Sequence, residues 1–217
     1  MSNLAAALER HQGALKSCDL CPDMIGPVVT GQPVISSVFL IGQAPGIKEG
    51  EFGKPFAWTA GKTMFHWFTE IGLNEETFRQ RVYMAAVCRC FPGKNPKGGD
   101  RVPSKVEVEQ CATWMDRELK LLRPALIIPV GKLAISQLMP VAKLNDVVGQ
   151  TYRLTVQQFD SDVIPLPHPS GASTWHRSEP GKTLLWRSLQ LIEAHPAWKT
   201  ICRGRVKIDG DPTFKLR

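Results

Sequence analysis

The sequence has no stretch approaching the roughly 20 consecutive apolar residues that a membrane-spanning helix needs. The opening segment, MSNLAAALERHQGALKSC, lacks the apolar core of a secretory signal and reads as a short amphipathic helix. Those two absences predict a cytoplasmic protein with no membrane partner. There is also no repeat, no low-complexity tract and no linker that would split the chain. One domain over residues 1–217 is expected, with an N-terminal helix and the first cysteines in 1–30 and a basic tail in 203–217. A domain of that length can bury roughly 70% of its unfolded surface. A second C-x-x-C is missing as well, which argues against a zinc ribbon.

Acidic residues are in deficit. The chain carries 27 Lys and Arg against 20 Asp and Glu, a net charge of +7. That balance fits a polyanion such as nucleic acid, and equally a basic surface with no special partner. The basic residues are unevenly spread. The loop CRCFPGKNPKGGDR holds four of them, and the C-terminal stretch KTICRGRVKIDGDPTFKLR is also basic.

Apolar periodicity predicts short strands alternating with helices. Val34–Gly42, Val82–Val87, Ala125–Val130 and Val163–Leu166 read as core strands, and Tyr152–Phe159 as an alternating hairpin strand. Helices are expected over Thr59–Ile71, from Ser104 to about Leu122, from Gly131 through Leu138, and from Lys182 to Ala194. Ser104 with Glu107 fits a capping box. The alternation implies an α/β three-layer sandwich with a central four-stranded, mainly parallel sheet. Such folds bind ligands beyond the carboxyl ends of their strands. Three compositionally odd loops leave those ends: GQAPGIKEGEFGKPF, CRCFPGKNP and PHPSGASTWHR.

Cys18 and Cys21 form C-x-x-C, a spacing that lets two thiolates bind one metal centre. Cys90 follows a strand and Cys111 lies on the next helix, so a four-cysteine site is available for zinc or an iron–sulfur cluster. Cys88 shares a face with Cys90 if the strand continues. The residues alone equally allow a redox dithiol or scattered buried thiols, the latter being the expectation for Cys202.

In this order the pieces resemble the uracil-DNA glycosylase superfamily, in its iron–sulfur branch (families 4 and 5), from about Cys18 to Leu191. GQAPGIKEGEFGKPFAWTAGK is similar to the first motif of family 4, VCRCFPGKN to the segment carrying the third cluster cysteine, and PHPSGAS to the His-Pro-Ser motif. The chain departs from family 4 at Gln43 (Glu there), at Ala86 (Asn there), at Ala172 (Leu in several relatives) and in the 20 residues between Cys90 and Cys111. It therefore resembles a divergent branch.

The resemblance implies a DNA-repair glycosylase that hydrolyses the N-glycosidic bond of deoxyuridine, releasing uracil and leaving an abasic site. The alternative is a non-catalytic or product-retaining binder of uracil-containing or abasic DNA. It implies a 4Fe–4S cluster on Cys18, Cys21, Cys90 and Cys111, with zinc as the alternative, and a monomer acting on DNA. His168 matches the histidine that donates to uracil O2, and Phe56 the aromatic that stacks on uracil. Glu49 matches the water-positioning carboxylate, with Glu51 as backup. Gln43 cannot ionise, but it can hold water or read the base edge. Gly42 allows close backbone approach, and Asn95 is the nearest amide to replace the missing Asn. Candidates to grip DNA are Lys94, Lys97, Ser170, Ser173, Arg177 and Lys182, with Trp175 as a substitute wedge. A monofunctional enzyme is expected, since no Lys stands out as a Schiff-base nucleophile.

Overall fold

The apolar runs fold into a sheet covered on both faces. The computed structural model describes residues 3–96, 98–171 and 173–203. Lys97, Ala172 and all but the first residue of the 203–217 tail therefore lie outside the described residues. In chain order the elements are α1 (Asn3–Lys16), β1 (Val38–Gly42), α2 (Ile47–Phe52), α3 (Thr59–Thr69), α4 (Glu75–Arg81) and β2 (Tyr83–Ala86). There follow α5 (Lys105–Leu122), β3 (Leu126–Pro129), α6 (Lys132–Ser136), β4 (Tyr152–Val156), β5 (Phe159–Val163), α7 (Gly181–Ala194) and α8 (Pro196–Arg203).

The sheet has five strands in the order β2-β1-β3-β5-β4, where four were expected. The difference is local. The segment read as one strand from Tyr152 to Phe159 turns at Gln157 and Gln158, both at positive φ, and Phe159 already belongs to β5. Two positive-φ residues make the tight turn whose twist suits a hairpin. β4 and β5 are antiparallel, and the other three pairings are parallel. The α/β class and the mainly parallel sheet stand as expected.

Alternation along the strands builds the two cores. Val38, Leu40, Met84, Leu126 and Ile128 face α3, α7 and α8, where Phe68, Leu189 and Trp198 meet them. Phe39, Ile41, Tyr83 and Ile127 face the other way, against Leu8 of α1 and Met115 and Leu119 of α5. A capping box opens α5, and a buried network ties α5 to the sheet. The Ser104 hydroxyl accepts from Glu107 N while the Glu107 carboxylate accepts from Ser104 N, which is the expected capping box. Glu118 of α5, fully buried, accepts hydrogen bonds from Tyr83 Oη at 2.7 Å and from the Arg89 guanidinium. His11 Nε2 of α1 lies 3.5 Å from the same carboxylate without hydrogen-bond geometry. This fold places the carboxyl ends of β1, β2 and β3 side by side, with the chain after β5 running alongside through the Val130–Leu166 bridge.

Candidate active site and cysteine cluster

A cavity of about 600 Å³ opens at those carboxyl ends. Gly42 lines it from the end of β1, Gln43 and Glu49 from the chain after it, Ala86 from the end of β2, and His168 and Ser170 from the segment after β5. Phe56, Trp58, Lys94 and Asp100 complete the wall. The three odd loops of the sequence thus meet in one place.

Two glycines make room for the rings. A Cβ on Gly42 would stand 3.0 Å from the Phe56 ring, so the aromatic lies flat against the strand end only because that side chain is missing. Gly131 has φ +88°, and a Cβ there would meet the His168 side chain at 3.1 Å. Phe56 itself sits at φ +52°, a strained conformation for a bulky residue. It is clamped by Arg79, whose guanidinium donates to the carbonyls of Pro55 (2.8 Å) and Phe56 (3.0 Å). Arg79 is in turn held by Glu75 at 2.9 Å and lies over the Phe65 ring.

His168 is oriented by its own loop. Ser170 N donates to Nδ1 at 3.2 Å, which leaves Nε2 as the protonated nitrogen of the neutral ring. Burial holds the imidazole below its ordinary value of 6.5, partly opposed by the nearby Asp100 carboxylate. The site therefore favours a neutral imidazole that donates through Nε2. Glu49 is buried, and its Oε2 accepts from Gly46 N at 3.0 Å. A Cβ on Gly46 would lie 2.8 Å from Glu49 Oε2 and 3.2 Å from Asp100 Oδ2, so two carboxylates share one corner of the pocket. Asp100 pairs with Lys94 at 2.6 Å. Glu51 is exposed, pairs with Lys48 and does not line the cavity.

The remaining expected residues stand outside the pocket wall. Asn95 is exposed on the 94–100 loop, where its carbonyl accepts from Gly98 N. Arg177 and Lys182 are exposed beyond His168, and Ser173 N donates to Ser170 O. Trp175 is half-buried, and its indole N–H donates to Asn145 at 2.7 Å.

Four of the cysteines come together from three parts of the chain. The backbone pairs Ile25 with Phe91 and Val29 with Arg89, which brings the segment after α1 against the loop after β2. Cys21 Sγ donates to Gln110 of α5 at 3.2 Å. Burial and the neighbouring Cys111, Cys18 and Cys21 push the Cys90 thiol up to about 11. Cys111 goes the other way, down to about 7, through a hydrogen bond from Cys88 and the positive Arg89. Cys88 is thus a fifth thiol in the group, its own value raised by that bond and by burial. Cys202 sits across the sheet on α8. The donor set is soft and anionic when deprotonated, as iron–sulfur ligation requires. Among the described residues no three His, Cys, Asp or Glu side chains are grouped so as to hold a single metal ion.

Sequence reading passed over Arg79, Asp100 and Trp58. Arg79 looks like one charge of an exposed helix, and Asp100 like a loop acid. Trp58 lies within the first motif, yet nothing in its neighbours marks it out. Only the meeting of distant loops distinguishes them.

Among similar proteins is a type-4 uracil-DNA glycosylase of Pyrobaculum aerophilum, 28% identical over 171 residues that cover 75% of this chain and 83% of that protein. A type-4 uracil-DNA glycosylase of Saccharolobus solfataricus is 30% identical over 143 residues, covering 63% of this chain and 62% of that one. A type-5 uracil-DNA glycosylase of Thermus thermophilus is 26% identical over 156 residues, 58% of this chain and 68% of that protein. The family model of the uracil DNA glycosylase superfamily matches residues 29–190, most of the chain, and the protein belongs to that superfamily.

Proposed function

We propose that the protein is a monofunctional uracil-DNA glycosylase of base-excision repair, hydrolysing the N-glycosidic bond of deoxyuridine to release uracil and leave an abasic site. The observation that carries this reading is the convergence of Phe56, a neutral Nε2-protonated His168 and buried Glu49 on one cavity. The similarity to proteins named type-4 uracil-DNA glycosylases supports it. The extruded base stacks on Phe56, a contact worth about 1–3 kcal/mol, and backbone near Gly42 approaches its edge. As the N1–C1′ bond breaks, its electron pair moves onto the uracil and negative charge collects at O2. His168 Nε2–H donates there, which a preorganised donor can reward with about 3–4 kcal/mol. Positive charge grows on the sugar, and Glu49 stabilises it and orients the water that adds to C1′. Gln43 holds that water or reads the base edge.

Cys18, Cys21, Cys90 and Cys111 would hold a 4Fe–4S cluster; zinc is the alternative. Such a group supplies a structural tie between the N-terminal segment, the loop after β2 and α5, and hydrolysis needs no electron transfer. DNA phosphates are gripped by Lys94, Ser170, Ser173, Arg177 and Lys182 around the pocket, with Lys97, outside the described residues, as a further candidate, and Trp175 stands in for a wedge. We place the protein in the cytoplasm as a monomer.

The test is excision from a uracil-containing oligonucleotide by anaerobically purified protein, read as alkali-induced strand cleavage. Cleavage that disappears in His168→Ala supports the assignment. Tight binding without cleavage would move the protein to the binder reading, for which Gln43 and Ala86 in the pocket wall are the reason to keep it open.

A further inference from the structure

Two large aromatic side chains lie on the outside of the molecule at the mouth of the pocket. Phe52, which ends α2, is 53% exposed, and Trp58, just ahead of α3, is 44% exposed. Their rings stack on each other with centroids 6.1 Å apart and planes 23° apart. Trp58 also forms part of the cavity wall beside Phe56, so the aromatic surface runs continuously from the outside into the pocket. Two ammonium groups frame it: Lys48 Nζ stands 6.0 Å and Lys62 Nζ 5.9 Å from the Trp58 ring centre. Lys48 also pairs with Glu51, while Lys54 adds an exposed positive charge between the two aromatics in sequence.

Exposed stacked rings framed by cations, with one ring shared by a base-sized cavity, have the chemistry that recognises unpaired nucleic acid. Bases stack on the rings and phosphates meet the ammonium groups. A duplex offers little to such a surface, because its bases are already stacked on one another. A neighbour of an extruded base in a single strand has a free face to offer.

We propose that Phe52 and Trp58 form a stacking platform for the base adjacent to the extruded uracil, and that it gives the enzyme a preference for single-stranded DNA. This deepens the proposed function and rests on the uracil pocket assigned there.

The experiment uses the full chain as wild type, Trp58→Ala, Trp58→Phe and Phe52→Ala. In the first arm a uracil-free oligothymidylate is titrated and intrinsic tryptophan fluorescence is followed. Quenching by the wild type is expected. In Trp58→Ala the quench should shrink to the share left by the other tryptophans and affinity fall roughly 5- to 150-fold, the range of one base–aromatic stack. Trp58→Phe should keep most of the affinity. In the second arm, kcat/KM for excision is compared on single-stranded and duplex substrates, and on single strands whose base next to uracil is replaced by a baseless sugar analogue. The single-strand to duplex ratio should drop by a similar factor in Trp58→Ala and less in Phe52→Ala. Removing the neighbouring base should cost the wild type that factor and leave the already crippled Trp58→Ala rate where it was. Equal losses on both strand types, or a wild type indifferent to the neighbouring base, would overturn the platform. If nothing is excised from any substrate, the uracil reading fails, and the quenching titration still decides the platform by itself.

Discussion

At the scale of single residues the site depends on two rings held in place by their neighbours. His168 is set to be neutral: burial lowers its value from 6.5, and Ser170 N–H occupies Nδ1. Folding therefore favours the unprotonated ring. Its contribution to stability is complete above about pH 6.5, the unfolded value, and is lost as pH falls below that toward the folded value. Nitrogen-detected NMR of the folded protein should find the proton on Nε2 and a midpoint below 6.5; a midpoint above it would mean that Asp100, not burial, governs the ring. His168→Ala should cut kcat by about 10²–10³, as for loss of one oxyanion donor, with DNA affinity nearly intact. An unchanged rate would remove His168 from the mechanism. Phe56 is the other ring. Its positive φ is sustained by the two hydrogen bonds from Arg79, so Arg79→Ala should release the loop although Arg79 is absent from the pocket wall. Loss of two charge-assisted bonds, each worth about 1.5–3 kcal/mol, should raise KM for uracil-containing DNA at least tenfold. If Arg79→Lys restores KM, the fork geometry of the guanidinium is not what matters.

At the scale of elements, the buried carboxylate of Glu118 joins α5 to β2 and to Arg89, the residue just ahead of the third expected cluster ligand. Neither Glu118 nor Arg89 is open to solvent, so removing one partner strands the other charge. Glu118→Ala should cost about 3–5 kcal/mol, the usual penalty for halving a buried pair, measured by urea unfolding of the intact protein. A cost near the ~0–1 kcal/mol of a surface pair would show that water enters the layer. The same scale explains what could be read from sequence. Strands β1, β2 and β3 were legible because burial on both faces makes them continuous apolar runs, and α5 because Ser104 and Glu107 form its capping box. The short helices α2 and α4 were not, since six and seven residues carry too little periodicity to register. α8 hid because only His195 separates its first residue, Pro196, from the end of α7. Glu49, Phe56 and His168 were legible only through motif resemblance, and Arg79, Asp100 and Trp58 were not, because no local pattern links residues that meet through tertiary packing.

At the scale of the whole molecule, three separate chain segments reach the cysteine group: the turn after α1, the loop after β2 and the middle of α5. The loop after β2 also runs on into the pocket wall through Pro92, Lys94 and Asp100. Anything that clamps the cysteines therefore also fixes one side of the substrate cavity and the Lys94–Asp100 pair at its rim. Loss of the clamp should act first on assembly and only then on chemistry. Cys90→Ser is expected to lower iron per protein sharply, to shift thermal unfolding downward and to reduce soluble yield, whereas Cys202→Ser, on the far side of the sheet, should leave iron content and melting as in the wild type. Cys88→Ser separates the fifth thiol from the proposed four. Cys88 donates to Cys111 rather than standing free, and a serine hydroxyl can still donate there, so its serine variant should keep iron, whereas Cys88→Ala should keep iron while altering the visible absorption of the cluster through the lost bond to Cys111. Loss of iron in Cys88→Ser together with retention in Cys90→Ser would exchange their places in the ligand set. The pocket wall would then be fastened two residues nearer to β2 than the arrangement proposed here.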